Sequence, residues 1–217
     1  MEVEEQPEVA RTTLYQVVTN GYDKPLKPKV CKHIDHLIVG GATLIEEGAI
    51  WNRCIKIRDY PKRNEYAVYM DGNMSVKMHP CMFHGWVETV MEKADLAICK
   101  HPHRKCAYVE IEACLGRKKI TAEQAKEAHE ILNTSRLPKN FGLWECGIII
   151  RRTGVAWVEE LERRWFSWIE NSGIHRDQLW LPMAIHQKPE TIPAGRFKTL
   201  DMDVRSNPIF SFGVHNK

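Results

Sequence analysis

Short apolar runs alternate with longer segments of helical periodicity along most of the chain. Runs rich in Val, Ile, Leu and Tyr that are bounded by turn residues predict five β-strands. These strands cover residues 14–18, 36–41, 66–70, 95–99 and 143–152. Apolar residues spaced three and four apart predict helices in the intervening segments. The helices cover residues 51–61, 84–94, 106–119, 121–132, 155–170 and 176–187.

This alternation of strands and helices indicates the fold class. Strands that are separated by helices pair in parallel, so the pattern predicts a single-domain α/β fold. In this fold a mostly parallel sheet is flanked by helices. We see no internal repeat and no low-complexity linker. The expected organisation is therefore a flexible leader at residues 1–12 followed by one domain at residues 13–217.

Composition and charge exclude several classes of protein. The chain has 217 residues, of which 43% are hydrophobic, and this is enough for a sizeable core. A net charge of +3 with mixed signs argues against a nucleic-acid-binding protein. Seven cysteines without a C-x-x-C pair argue against a disulfide framework. We find no signal peptide and no transmembrane segment, so we expect a cytoplasmic protein.

The stretch AVYMDGNMSV places Asp71 directly after an apolar strand. A carboxylate buried there would be costly unless a cation paired with it. D-G, like N-G, is also an ordinary turn sequence, so the alternative is a turn with a solvated acid. Polar residues follow two other strands, at 19–23 and 100–104. Because ligands bind beyond the carboxyl ends of parallel strands, the three strand ends together predict a binding site.

The pair Asp71 and Asn73 suggests a divalent cation. Two oxygen-bearing side chains separated by one glycine can face the same ion. Mn²⁺ or Mg²⁺ takes one or two carboxylates and completes its shell from phosphates and water. Such a site suits a nucleotide diphosphate. Asn73 supplies a neutral oxygen, which lowers the charge of the site.

Basic residues near the strand ends are candidates for stabilising a departing diphosphate. Arg53 and Lys56 are three apart on one helical face, whereas Lys100, His101 and Arg104 follow the fourth strand. The alternative for the charged residues is a solvated basic face. The alternative for His101 is that it caps a turn.

Several blocks of the chain resemble, in the same order, a glycosyltransferase-like family. The family includes plant proteins linked to cell-wall mucilage and turgor, with bacterial and viral relatives. The matching blocks are LYQVVTNGYD, WNRCIKIRDYPKRNEYAVYMDGNMSV, AICKHPHRKCAYVEIEA, GLWECGIIIRR and RDQLWLPMAI. The resemblance spans about residues 13 to 187. It implies a GT-A-like fold, a nucleotide-sugar donor, most often a UDP-sugar, and a divalent metal. The acceptor would be a glycan, a lipid or a protein.

The resemblance also implies roles for residues at the strand ends. Asp71 and Asn73 match an Asp-x-Asp motif that meets the metal and the donor ribose, with Asn73 in place of the second acid. Thr19, Gly21 and Tyr22 match the end of the first strand, which holds the base and ribose.

Further residues are implied near the donor sugar and at the C-terminus. Gly147 matches a small residue beside the sugar, with Glu145 nearby. Asp177 and Gln178 resemble an acid–amide pair close to the anomeric carbon, where they are the catalytic candidates. His215 resembles a C-terminal histidine that completes the metal shell.

Other readings remain open at this point. A metal-dependent hydrolase could also use Asp71, although a two-metal centre would need more clustered acids. A catalytically silent nucleotide-sugar-binding module is favoured by Asn73. The segments HIDH and HPCMFH raise the possibility of structural zinc, but cysteine pairs at ligand spacing are missing.

Overall fold

The computed structural model describes residues 11–19, 31–41 and 45–213. The strands are β1 (Thr12–Thr19), β2 (Ile34–Gly41), β3 (Tyr66–Met70), β4 (Met74–Val76), β5 (Leu96–Lys100), β6 (Trp144–Arg152), β7 (Phe197–Leu200) and β8 (Phe210–Phe212). The helices are α1 (Ile45–Ile57), α2 (Pro80–Met91), α3 (Ala107–Gly116), α4 (Ala122–Thr134), α5 (Ala156–Ser172) and α6 (Asp177–Gln187). In this part of the chain, no helix is both long and apolar enough to span a bilayer.

Six strands form the central sheet, in the order β2-β1-β3-β6-β5-β7. Five of them run in the same direction, and β6 runs against both of its neighbours. The predicted α/β class with a mostly parallel sheet is therefore confirmed. Strands β4 and β8 form a separate two-stranded ribbon.

The sheet separates two apolar cores because side chains alternate between its faces. On one face, residues such as Tyr15 and Tyr69 pack against α1, α3, α4, α5 and α6. On the other face, Leu14, Val68 and Met70 pack against α2 and the β4–β8 ribbon. Burial on both faces explains why β3 reads as a continuous apolar run.

Local sequence signals set several helix ends. Thr121 caps α4 by accepting the backbone N–H of Gln124, whose side chain returns a bond to the Thr121 backbone N–H. Helix α5 ends at Gly173, which has a φ of 62°, a conformation that glycine adopts without a steric cost.

The predicted strands and helices are present, with some shifted ends. Helix α1 begins at Ile45, six residues before the predicted start. Thr12, placed in the leader by the sequence analysis, is buried within β1. Strands β4, β7 and β8 were not predicted, because three or four residues are too few to establish an alternating pattern.

The antiparallel direction of β6 brings its amino-terminal half to the carboxyl edge of the sheet. The backbone N–H of Asp71 donates to the Gly147 carbonyl at 2.9 Å. The pairing of β5 with β6 shifts register between Ile98 and Cys99, so this end of β6 is irregular. As a result, Glu145 and Gly147 lie at the same edge as the residue that follows β3.

Candidate active site

A polar cleft of about 320 Å³ lies at the carboxyl edge of the sheet. Its walls come from the ends of β1 and β3, the start of β6, one face of α1 and the start of α6. The described residues that line it are Val17, Thr19, Ala49, Asn52, Arg53, Lys56, Tyr69, Asp71, Lys119, Glu145, Cys146, Gly147, Arg176, Asp177, Gln178 and Arg205. The cleft therefore forms where ligands bind in open α/β sheets.

Most of the predicted site residues meet in this cleft. They are Thr19, Arg53, Lys56, Asp71, Glu145, Gly147, Asp177 and Gln178. Asn73 lies beside the cleft, in an adjoining cavity of about 350 Å³ that also includes Asp71 and Arg205. Gly21, Tyr22 and His215 lie outside the described residues.

Three predicted donor-binding residues do not line the cleft. Lys100 Nζ lies 2.7 Å from a carboxylate oxygen of Asp201. The Nδ1 atom of His101 accepts the backbone N–H groups of His103 and Arg104, each at 3.1 Å, so the ring caps a turn. Burial and the charge of Arg104 lower the pKa of His101 to about 4. The Arg104 guanidinium pairs with buried Glu110.

Asp71 both begins a turn and meets a cation. The backbone N–H of Met74 donates to the Asp71 carbonyl at 2.9 Å, which closes a β-turn. The Asp71 side chain is 41% exposed, and its Oδ1 accepts a 2.8 Å hydrogen bond from the Tyr69 hydroxyl. Lys56 Nζ lies 3.5 Å from the same oxygen. Asp71 therefore begins the expected turn, and the cation nearest to it is a lysine; its role as a ligand of a divalent metal stays a prediction.

Lys56 is the buried cation at the base of the cleft. Its Nζ lies 2.6 Å from Asp177 Oδ2, and the two side chains are only 4% and 5% exposed. The same Nζ lies 4.4 Å from the centre of the Tyr69 ring, which adds a cation–π contact. Arg53 Nε lies 3.9 Å from Asp177 Oδ1. The prediction that Arg53 and Lys56 share one helical face is confirmed.

The surroundings of Asp177 keep it ionised. Burial alone would raise its pKa, but the charges of Lys56, Arg53 and Arg176 outweigh that effect and hold the pKa below its usual value. The Asp177 carbonyl also accepts a 2.8 Å bond from the indole N–H of Trp165, which fixes the start of α6. This environment suits an anion that orients other groups more than a base that must accept a proton.

The surroundings of Glu145 shift its pKa in the opposite direction from that of Asp177. It is 4% exposed, and burial raises its pKa, although the nearby Arg205 partly offsets the effect. One carboxylate oxygen accepts a hydrogen bond from Arg205. The other, Oε2, is buried and has no hydrogen-bond partner among the described residues. The cleft therefore contains two buried carboxylates whose pKa values are displaced in opposite directions.

Four polar lining residues were missed by the sequence analysis. Asn52 lies on the same helix as Arg53, and its side chain donates to the Val17 carbonyl at 3.2 Å. Lys119, Arg176 and Arg205 come from connecting segments outside the predicted strand ends. Arg176 precedes Asp177 in the R-D-Q-L motif, which was a usable signal, whereas Lys119 and Arg205 resemble ordinary surface residues in the sequence.

The charges in the cleft favour an anionic ligand. Among the described lining residues, five cationic side chains and three carboxylates leave two positive charges in excess. Partial loss of water around its side chain and the positive charge of Arg176 lower the pKa of Lys119, although the residue as a whole is exposed. The Nε atom of Arg176 is buried without an acceptor among the described residues. An anion bound between Lys119 and Arg176 would reduce the repulsion between the two cations and would accept a hydrogen bond from Arg176 Nε.

A larger cavity lies on the α2 side of the sheet, but it lacks this chemistry. It has a volume of about 430 Å³, and side chains of the second core, such as Leu14, Met70 and Phe83, form much of its wall. Among its described lining residues the one Lys or Arg is Lys77, which donates to the Asn207 carbonyl at 2.9 Å. The charged cleft is therefore the candidate active site.

Comparisons with solved structures find similarities at low sequence identity. No protein-family model matches the chain, and no curated protein sequence matches it. The apo form of mouse xyloside xylosyltransferase 1 is 8% identical, with a TM-score of 0.43, over 88% of this chain and 86% of that chain. The apo structure of the bifunctional glycosyltransferase WbbM is 11% identical, with a TM-score of 0.40, over 92% of this chain and 40% of that chain. Both are glycosyltransferases.

The residues around Asp71 fit a divalent ion that is held mainly by phosphate. Within the described part of the chain, no three His, Cys, Asp or Glu side chains group together to hold a metal. A phosphate-bound Mg²⁺ or Mn²⁺ needs only one or two carboxylates. Asp71 Oδ2 faces Gly147, where a Cβ atom would come within 3.2 Å of it. The missing side chain therefore leaves space at this oxygen.

Proposed function

We propose that the protein is a glycosyltransferase that uses a nucleotide-diphosphate sugar, with a UDP-sugar as the first candidate. The observation that carries this proposal is the cleft at the carboxyl edge of the sheet, with its two excess positive charges. A nucleotide sugar bears a negative charge on each of its two phosphates, so its charge would balance that of the cleft. The resemblance of the sequence blocks to a glycosyltransferase-like family supports the same reading.

The side chains divide into those suited to contact the donor and those suited to orient them. Arg205 is 56% exposed and Lys119 is also exposed, so both side chains can reach a phosphate; for Arg205 this means leaving its partner, the buried carboxylate of Glu145. Lys56 and Arg53 form ion pairs with Asp177 and supply positive charge at the bottom of the cleft. Thr19, at the end of β1, is available to the nucleoside, with Gly21 and Tyr22 expected nearby.

The chemistry requires stabilisation of the leaving group. As the bond between sugar and phosphate breaks, negative charge accumulates on the diphosphate, and cations fixed in a cleft lower the barrier. Asp71 and Asn73, with His215 as a further candidate, are the residues that would hold Mn²⁺ or Mg²⁺. A bound ion would supply additional positive charge at the diphosphate. Gln178, at the start of α6, can hydrogen-bond sugar hydroxyls. The acceptor is a glycan, a lipid or a protein.

A second candidate function is a silent nucleotide-sugar-binding module. Asn73 is only 7% exposed, and its backbone carbonyl accepts the Gly213 N–H. Its side-chain amide also points to the Gly213 carbonyl, at 3.5 Å. These contacts give Asn73 a structural use that does not require a metal. A glycosyltransferase turns over the donor, whereas a silent module binds it without turnover, so a turnover assay distinguishes the two candidate functions.

The test is a thermal-shift screen of UDP-, GDP-, ADP-, TDP- and CMP-sugars with and without Mn²⁺. A ligand at 100 times its dissociation constant stabilises the native state by about 2.7 kcal/mol. For a chain of this length, that corresponds to a rise in Tm of about 5–11 °C. We expect one base to give such a shift. No shift with any donor would contradict the proposal.

The site assignment is tested in the same screen with the Asp71→Ala variant. Asp71 is 41% exposed, so its removal should leave the fold intact while it abolishes the metal-dependent part of the shift. The matched control is Asp201→Ala, an 83% exposed acid that pairs with Lys100 away from the cleft. The control should retain the full shift. If Asp71→Ala bound the donor as well as the parent protein, the assignment of Asp71 would be wrong.

A further inference from the structure

Glu145 is a buried carboxylate with unused hydrogen-bonding capacity inside the cleft. It lies at the start of β6, two residues before Gly147, and both residues line the cleft. Its Oε2 atom is buried without a partner among the described residues. A buried carboxylate oxygen without a donor is costly in a protein that only needs to fold. The arrangement indicates that a proton or a donor group from a ligand completes this site.

The second buried acid of the cleft cannot easily take that role. Asp177 Oδ2 also makes no hydrogen bond of standard geometry among the described residues, but it lies 2.6 Å from Lys56 Nζ, and Asp177 Oδ1 lies 3.9 Å from Arg53 Nε. A carboxylate that two cations stabilise is a weak base. Glu145 has one cationic partner, and burial makes its carboxylate the stronger base. Glu145 is therefore better suited than Asp177 to accept a proton from the acceptor.

Arg205, the cationic partner of Glu145, lies where its side chain can move away from that carboxylate. It is 56% exposed and lies between β7 and β8, in a segment without a helix or strand. It lines both the cleft and the adjoining cavity that contains Asp71. Its guanidinium contacts Glu145, and its long side chain can carry that guanidinium toward a phosphate in the adjoining cavity, away from Glu145. For Arg205, the exchange replaces one charge-assisted bond with another. For Glu145, it leaves a buried carboxylate without its cation, which is costly and favours uptake of a proton.

We propose that Glu145 is the general base of the reaction and that Arg205 is its exchangeable counter-ion. In the free protein Arg205 covers Glu145. When the donor binds, Arg205 moves to the diphosphate and leaves the carboxylate free to receive the acceptor's proton. This inference rests on the proposed function, since it requires a diphosphate to draw Arg205 away.

The bond changes in this step are those of a direct displacement. The acceptor hydroxyl oxygen bonds to the anomeric carbon while the bond from that carbon to the phosphate oxygen breaks. The electron pair leaves on the nucleoside diphosphate, which Arg205 stabilises. The proton of the hydroxyl passes to Glu145. A single displacement inverts the configuration of the anomeric carbon, so the inference also specifies the stereochemical result.

The test compares Glu145→Gln with the parent protein, using the nucleotide sugar that stabilises the parent. Glutamine has nearly the same shape but cannot accept the proton. We expect the dissociation constant of the donor to stay within about threefold, while release of nucleoside diphosphate to water falls by about 100-fold or more. The matched control is Glu112→Gln, an exposed glutamate of α3 that contacts His129. The control should release nucleoside diphosphate at the parental rate.

Sodium azide distinguishes a lost base from a distorted site. Azide has no proton to lose, so it should restore donor turnover in Glu145→Gln and give a glycosyl azide of inverted configuration. Failure of azide to restore turnover would overturn the role of Glu145, and so would an azide of retained configuration. Parental turnover by Glu145→Gln, or a parent that binds donor without any turnover, would also overturn it while leaving donor binding established. A parent that binds no nucleotide sugar would overturn the proposed function itself.

The role of Arg205 has its own comparison. Arg205→Ala should weaken donor binding by about tenfold or more, because a charge-assisted bond to the diphosphate is lost. Arg163→Ala removes an arginine that is 66% exposed and pairs with Glu160 on α5, so it should leave binding unchanged. Equal donor affinity of Arg205→Ala and the parent would contradict the exchange of Arg205 between Glu145 and the diphosphate.

Discussion

Replacing Lys56 with methionine should destabilise the protein far more than the same change at Lys62. Each lysine has its Nζ 2.6 Å from a carboxylate oxygen, that of Asp177 for Lys56 and that of Glu159 for Lys62. The two pairs differ in burial: the side chains are 4% and 5% exposed in the first pair and 39% and 42% exposed in the second. The two pairs therefore have the same distance and the same chemical groups, and they differ in their exposure to solvent.

The expected magnitudes follow from that difference. Removal of one partner of a buried pair leaves an uncompensated charge and costs about 3–5 kcal/mol. Because Arg53 remains 3.9 Å from Asp177, we expect the lower end, about 3 kcal/mol, for Lys56→Met. An exposed pair contributes about 0.2–1 kcal/mol, so Lys62→Met should cost about 0.5 kcal/mol. In a chain of this length these losses correspond to falls in Tm of about 6–12 °C and about 1–2 °C.

Urea unfolding followed by circular dichroism measures both free energies of unfolding. The m-values should be unchanged, so that the difference reflects stability and not the compactness of the unfolded state. Losses for the two variants that agree within about 0.5 kcal/mol would refute the reasoning, because burial would then have no effect on the energy of the pair.

Two further predictions concern the same cleft. Gly147→Ala should weaken donor binding by about tenfold, as measured by calorimetry, because its Cβ would press on Asp71 Oδ2 at 3.2 Å. The control is Gly85→Ala, whose Cβ meets nothing within 4 Å, and this variant should bind the donor normally. The folded-state pKa of Asp177 lies below the unfolded value of 3.8, so its stabilisation is present above that pH and is lost as the pH falls below it. Unfolding free energies from about pH 6 to about pH 2.5 should therefore fall more steeply below pH 3.8 for the parent than for Lys56→Met; equal slopes would contradict this.

Local patterns were sufficient to predict the fold class and part of the site. Tyr66–Met70 forms the predicted strand, and Asp71 follows it into the cleft, because the end of a buried strand is visible in the sequence. The spacing of Arg53 and Lys56 placed them together, because a helix repeats every 3.6 residues. Both inferences depend on residues that are close together in the chain.

The remaining features depend on contacts between distant segments. Arg205 pairs with Glu145 across 60 positions of sequence, and no periodicity marks it. The reversed direction of β6, which brings Glu145 to the binding edge, follows from chain crossovers that leave no local signal. His101 follows a strand, as predicted, but its ring turns back onto the backbone of its own loop. A strand end therefore indicates an edge of the sheet, while the turn geometry decides which side chains face the cleft.

Isothermal titration with a nucleotide sugar, its nucleoside diphosphate and its nucleoside, each with Mn²⁺, tests most directly whether the charged cleft holds a diphosphate. The five cations around the cleft should make the diphosphate the main source of affinity. The account predicts that the nucleotide sugar and the diphosphate bind at least about tenfold more tightly than the nucleoside, and that added salt weakens both. Equal affinity for all three compounds, or no binding of any, would contradict it.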